Sequence, residues 1–187
     1  MKKLLFVLLV CSQLGNAQAT DTVRGKNEVR VDLLSLIADG KFNLTYERFL
    51  NRDFSIGVTG GYSDSDKIYQ DFVKGYRSTL PKYEVTPFIR YALSKSTRSF
   101  YFAEAFISAN GGDYREIVRL ENNGTGYYTI QQSDYFDIAI GGGLGYKIYI
   151  KQKFGFELLV GFGRNLLEKD KSPDVMSRVG LSVGYRF

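Results

Sequence analysis

Five carboxylates and five cations fall at positions that would turn to one side of extended segments. Glu47, Glu84, Glu104, Asp137 and Glu157 share the alternating series of Arg30, Arg90, Lys147, Arg178 and Arg186. Acids and bases grouped in this way can relay protons or bind a ligand. They can equally form a structural ion-pair network, because an unpaired charge in a narrow interior is costly and a partner offsets that cost. The network is the expected reading. Histidine is absent from the chain, and with it the side chain whose unperturbed pKa suits general acid–base work near neutrality. The single cysteine, Cys11, lies near the N-terminus. The run Gly141-Gly142-Gly143-Leu144-Gly145 lacks the spacing, the Lys-Ser/Thr ending and the following helix of a phosphate-binding loop. No metal or cofactor constellation is expected.

The elements that must carry these residues show a period of two. At the C-terminus, Val175, Ser177, Val179, Leu181, Val183, Tyr185 and Phe187 share one face, while Met176, Arg178, Gly180, Ser182, Gly184 and Arg186 share the other. Alternate residues of a strand point to opposite sides, so one face meets an apolar solvent and the other a polar interior. Upstream, residues 154–163 repeat the pattern, with Phe154, Phe156, Leu158, Val160 and Phe162 on the apolar face. So do residues 135–148, 101–108 and 83–91, although Pro87 interrupts the ladder and is expected at a bulge or local irregularity. Three further strands are expected at 28–37, 41–50 and 54–62. Their outward sets are Val29, Val31, Leu33 and Ile37, then Phe42, Leu44 and Tyr46, then Phe54, Ile56 and Val58. The total is eight, and the segments have the ~9–11 residues that a tilted transmembrane strand needs.

Connection lengths agree. Turns at 51–53, 94–98 and 151–153 are short, whereas linkers 63–81, 110–133 and 164–174 are long, and only the connection at 38–40 is brief on that side. Short periplasmic turns and long external loops are the habit of bacterial barrels. Segments 114–120 and 127–131 alternate enough to prolong their strands beyond the membrane, with Asn122-Asn123-Gly124 closing the hairpin. The fold class expected is therefore all-β, an eight-stranded antiparallel transmembrane up-and-down β-barrel. A soluble lipocalin-like barrel also has eight alternating strands, but it would place apolar residues inside.

The N-terminus carries Lys2 and Lys3, the apolar run from Leu4 to Val10, and small residues up to Ala17 and Ala19. Seven apolar residues cannot span a ~30 Å core as a helix, so residues 1–19 read as a signal peptide, cut after Ala17 or Ala19. Lipoprotein processing at Cys11 is disfavoured by Val10, which stands where a small residue is needed. Residues 20–187 then form one barrel domain. The formal charge of +5 falls to +3 without Lys2 and Lys3, and the basic residues are scattered among acids, which argues against nucleic acid as a partner. Fourteen Tyr and 14 Phe beside a negative mean hydropathy suit a membrane protein in which lipid meets every second residue.

The chain resembles the small eight-stranded outer-membrane barrels of the OmpA/OmpX type. It is similar, more closely, to an uncharacterised barrel family through Asn27-Glu28-Val29-Arg30-Val31-Asp32-Leu33 and Leu44-Thr45-Tyr46-Glu47-Arg48-Phe49-Leu50-Asn51. The likeness covers residues 20–187, without the periplasmic domain of longer OmpA members. It implies an outer-membrane location and a C-terminal barrel-assembly signal in Val183, Tyr185 and Phe187, read by the barrel-assembly machinery. Outer-membrane barrel enzymes such as lipid A deacylases use histidine, so the resemblance points to a non-enzymatic envelope protein. A narrow pore or small-ligand barrel is the alternative.

Glycine gathers on the inward face of the last three strands, at Gly141, Gly143, Gly145, Gly155, Gly161, Gly163, Gly180 and Gly184. The expectation is that Phe88, Arg90, Phe102, Glu104 and Phe106 from the opposite wall fill the space and plug the barrel. The external loops combine Tyr69, Phe72, Lys74, Tyr76 and Arg77 with Tyr114, Arg115, Arg119, Tyr127 and Tyr128. Such loops suit either a surface ligand or the lipid and lipopolysaccharide of the outer membrane. A monomer is expected.

Overall fold

The computed structural model describes residues 25–187 apart from 95, 97, 123, 124 and 169. The expected signal segment with Cys11, both cleavage positions and the Asn123-Gly124 turn lie outside the described residues. Eight antiparallel strands close in chain order: β1 (Asn27–Asp32), β2 (Lys41–Phe49), β3 (Phe54–Ser63), β4 (Thr79–Ala92), β5 (Ser99–Asn122), β6 (Thr125–Ile150), β7 (Phe154–Asn165) and β8 (Val175–Arg186). β1 meets β8 from Glu28↔Arg186 to Asp32↔Ser182, and Phe187 exchanges backbone hydrogen bonds of 2.8 and 3.0 Å with Asn27. Closure gives every strand two neighbours.

Alternation decides which way each side chain points. On β7, exposed and buried residues follow one another along all twelve positions, so that Leu158 is 51% exposed and its neighbour Leu159 is 7% exposed. Large apolar residues face outward on every strand, and the inward set is mainly polar, charged, aromatic or glycine, with a few aliphatic residues such as Ala139 and Leu159. That is the arrangement of a barrel in lipid, the reverse of a lipocalin. At the end carrying the termini and short turns, aromatic side chains pair across strands: Phe54 with Tyr91 (centroids 5.0 Å apart), Tyr101 with Tyr146 (4.6 Å) and Phe154 with Tyr185 (5.5 Å). An aromatic girdle at a membrane interface has this form.

Three local expectations are corrected. The first strand ends at Asp32, not at 37; Leu33–Asp39 is a helix, α1. Asp32 caps it, accepting from the N–H groups of Leu34 and Ser35, and Gly40 ends it in the left-handed conformation at φ 61°. Leu33 and Ile37 therefore leave the strand's outward set, and the connection to β2 is not brief. Linker 63–81 contains a second helix, α2 (Asp66–Lys74), capped by Ser65 and Gly75, whose Ile68 and Phe72 pack on Leu80. Pro87 does interrupt the β4–β5 ladder, which skips Thr86 and Pro87, but it causes no bulge: the register is the same at Val85↔Ala109 and Phe88↔Phe106, and the shift falls between Pro81 and Tyr83. Pro87 is exposed and opposite Val58 of β3. Much of the long linker 110–133 is strand, paired continuously to Asn122↔Thr125.

Candidate functional site: the ionic lumen and the cavity above it

Seven strands contribute a charged side chain to the lumen. Arg90 of β4 lies at its centre, donating from Nε to Glu104 (2.7 Å) and in a two-pronged contact to Glu157 (2.7 and 2.9 Å), with a further bond to Glu47 (3.0 Å). Its guanidinium is held between the rings of Phe88 and Phe102, 4.5 and 4.3 Å from their centroids. Lys147 of β6 reaches Glu28 (3.0 Å), Glu47 (2.8 Å) and Glu157 (3.0 Å). Arg30 of β1 donates to Glu28 (2.8 Å) and to Glu47, and lies 3.4 Å from Glu157. Arg178 of β8 is 3.5 Å from Glu104. β3 supplies hydroxyls instead: Ser55 donates to Glu47 (2.5 Å), and Thr59 bonds Thr45 (2.9 Å). Glu28, Glu47, Glu104 and Glu157 thus balance Arg30, Arg90, Lys147 and Arg178, four charges of each sign. Such a balance is what makes buried ions tolerable.

The structure brings Glu47, Arg90, Glu104, Lys147, Glu157 and Arg178 together. Three other positions lie elsewhere. Glu84 pairs with Lys41 (2.6 Å) nearer the loop end of the barrel. Arg186 donates to the Gly25 carbonyl (2.6 Å) and covers the Phe49 ring at 4.0 Å. Asp137 joins no ion pair among the described residues: its carboxylate accepts from the N–H groups of Leu166, Leu167 (both 2.9 Å) and Glu168 (3.0 Å) and from the Ser172 hydroxyl (2.5 Å). It anchors the β7–β8 loop, because adjacent N–H groups of that loop converge on one acceptor. Of the C-terminal residues, Tyr185 and Phe187 stand exposed on the outer face, and Val183 is half-buried between Val31 and Phe156.

Glu28, Tyr149 and Ser55 were not singled out in the sequence. Glu28 is fully buried and accepts from Arg30, Lys147 and the Tyr149 hydroxyl. It lies two residues before Arg30 and so on the same face, which is the signal that could have found it. Glu28, Glu47 and Glu157 bring carboxylate oxygens within 4.8 Å of one another, a metal-like spacing. Those oxygens are engaged by Arg30, Arg90 and Lys147, whose charges would repel a divalent ion.

The inward glycines work differently from the expectation of an opposite wall. Five of them lie beside a bulky residue of the neighbouring strand that is their register partner: Phe88 with Gly57, Phe102 with Gly145, Phe106 with Gly141, Tyr149 with Gly155, Arg30 with Gly184. A Cβ on Gly145 would stand 2.2 Å from Phe102 Cζ, and one on Gly57 2.3 Å from Phe88 Cζ. The rings occupy the space that a side chain would take at the glycine, which is how aromatic residues compensate glycine in curved sheets.

Beyond this layer, toward the loop end, is a cavity of about 460 Å³ between α1, β8, the β4–β5 walls and Pro173. Asn110 and Asn165 bond across it (3.1 Å), and Asn165 donates to the Pro173 carbonyl (2.6 Å). Asn43 Oδ1, buried and without a hydrogen-bond partner among the described residues, lies beside Lys41 and Glu84 at Gly61.

A closed eight-stranded barrel with an apolar exterior and a neutralised ionic lumen defines a small membrane-spanning β-barrel of the outer-membrane type. The chain belongs to the family described as Protein of unknown function (DUF3575), whose profile matches residues 3–178. None of the curated proteins matches it. Its fold is similar to the N-terminal β-barrel domain of Pseudomonas aeruginosa OprF, at 14% identity and TM-score 0.50 over 88% of this chain and 100% of that one. It is also similar to Neisserial surface protein A, NspA, at 13% identity and TM-score 0.53 over 86% of this chain and 94% of that one. At such identities the likeness is one of fold.

Proposed function

We propose that the protein is a non-enzymatic, monomeric component of the bacterial outer membrane, exported by its N-terminal signal and acting in the envelope as a structural or surface-interaction element. Its lumen supports this reading most directly. The carboxylates that could act as acid or base are each held by fixed cations, and Arg90 is sandwiched between two rings in the middle of the barrel. Glu104 Oε1 accepts no hydrogen bond among the described residues, but it is buried and lies 3.5 Å from Arg178, so it too faces a cation.

The β5–β6 hairpin supports a role at the surface. β4 leaves β5 near Tyr114, and β7 joins β6 only at Ala139, so residues 115–122 and their partners stand clear of the other strands. Eight residues extend roughly 25 Å. Ile117, Tyr128 and Ile130 are exposed on this ribbon. Replacing residues 114–131 by a two-residue turn tests the reading in cells. The barrel is expected to reach the outer membrane normally while binding to surfaces or resistance to envelope stress declines. Unchanged binding and resistance, or lipid-ester hydrolysis by the purified protein that Glu47→Gln abolishes, would contradict it.

A further inference from the structure

The barrel wall is incomplete along one seam. β1 stops at Asp32, opposite Ser182, whereas β8 begins seven residues earlier at Val175. α1 stands where the strand is missing and packs against β8 and β2. It is tied there by Asp32, which accepts from Leu34 and Ser35 of α1 and from Leu181 of β8 (3.0, 3.3 and 3.2 Å). Gly180 makes room for that carboxylate, since a Cβ there would stand 2.8 Å from Asp32 Oδ2. A helix satisfies its own backbone and offers β8 no ladder.

The 460 Å³ cavity reaches this seam. On β8 it is lined by Val175, Met176, Ser177 and Val179. Val175 and Val179 face outward and are exposed, while Met176 faces inward. Residues on opposite faces of a strand can line one cavity only where it passes the strand's edge. The cavity therefore opens sideways, toward the apolar belt, as well as into the loop end of the lumen. Its two ends differ chemically. On α1 and β8 the lining includes the aliphatic Leu34, Ala38 and the two valines beside Ser35 and Asp39; elsewhere it has Asn110, Tyr135 and three cations, of which Arg77 and Lys82 are exposed at the loop end. Lys41 and Lys82 are held by Glu84 (2.6 Å) and Asp113 (2.7 Å). Arg77 has no ion-pair partner among the described residues.

We propose that the α1–β8 seam is a lateral portal and that the cavity behind it binds the headgroup of a single-chain anionic amphiphile. Arg77 meets the negative head, and the chain leaves between α1 and β8 into the surrounding acyl layer. The volume lies within the range of small-molecule sites, roughly 300–1,000 Å³.

The chain has no tryptophan, so a single introduced one reports locally. Ala38→Trp places it on the seam and Leu144→Trp on the lipid face of β6, each in the whole barrel reconstituted in phosphatidylcholine nanodiscs. Dibrominated stearate, dibrominated lysophosphatidylglycerol and the uncharged dibrominated stearyl alcohol serve as quenchers. At the seam, quenching by one or both anions is expected to half-saturate at about tenfold lower concentration than at the lipid face. Whichever anion acts at lower concentration identifies a carboxylate or a phosphate as the head. Arg77→Gln is expected to remove the difference, and the alcohol to show none. Val175→Trp, across the seam, repeats the measurement without altering α1. Parallel quenching at seam and lipid face, or equal preference for the alcohol, would overturn the proposal and leave the surface role untouched.

Discussion

Glu47 accepts from Arg90 and Lys147 at 3.0 and 2.8 Å, from Ser55 at 2.5 Å, and also from Arg30. Removing it would leave three buried cations short of one counter-charge around a void. Glu47→Ala is therefore expected to destabilise the barrel by about 3–5 kcal/mol, measured by urea unfolding in lipid vesicles. Replacing Arg90 and Glu104 together by leucines is expected to be milder than either single change, because the network stays balanced at three charges of each sign, although Arg178 then loses its contact with Glu104. Glycine gives the complementary case. Gly145→Ala drives a methyl into Phe102 and is expected to lose about 1–3 kcal/mol. Phe102→Leu in the same chain should recover most of that loss. If the two changes add without coupling, the ring does not lie over Gly145 as described. In the sequence, glycine and phenylalanine could each be assigned to the inward face by parity. Their pairing could not, since register depends on turn geometry and on Pro81, where the β4–β5 ladder shifts.

Among the elements, α1 depends on one side chain more than on its own composition. Its seven residues include no buried one, and a helix so short is marginal alone. Asp32→Ala removes the cap and the tether to Leu181, and should cost about 1 kcal/mol. Hydrogen exchange is expected to accelerate at residues 34–39 while β3 to β7 stay protected. Asp137→Ala should act in the same way on the β7–β8 loop, speeding exchange at Leu166, Leu167 and Glu168 without changing the network around Arg90. These two elements also mark where the sequence was hard to read. Leu33, Leu34, Leu36 and Ile37 suit a strand or a helix, and the discriminating signals were the caps, Asp32 and Gly40. Ser65, Asp66, Lys74 and Gly75 gave comparable signals for α2 within what read as loop. Asp137 shares the parity of Lys147, but parity fixes only the side of the sheet. Height along the strand decides the partner, and at the loop end that partner is backbone.

For the whole molecule, the period of two was legible because lipid and an ionic lumen impose opposite demands on successive residues. Eight strands, their closure and the short turns at 51–53 and 151–153 follow from it. The lumen is crossed by Arg90, Phe88 and Phe102 and held by ion pairs from opposite walls. In planar bilayers the purified protein is expected to give no steady conductance. A reproducible open level would mean that the side chains around Arg90 leave a continuous path.

Leu158 and Leu159 allow the central claim to be tested with identical side chains on opposite faces. Each is changed to cysteine in a chain beginning at residue 20, spin-labelled, and reconstituted in phospholipid vesicles. The label at Leu158→Cys is expected to collide freely with oxygen dissolved in the bilayer and poorly with a water-soluble nickel chelate. The label at Leu159→Cys should be immobilised and screened from both. A label at 159 that meets oxygen as readily as lipid does, with the label at 158 screened, would reverse the two faces of the wall and contradict the account.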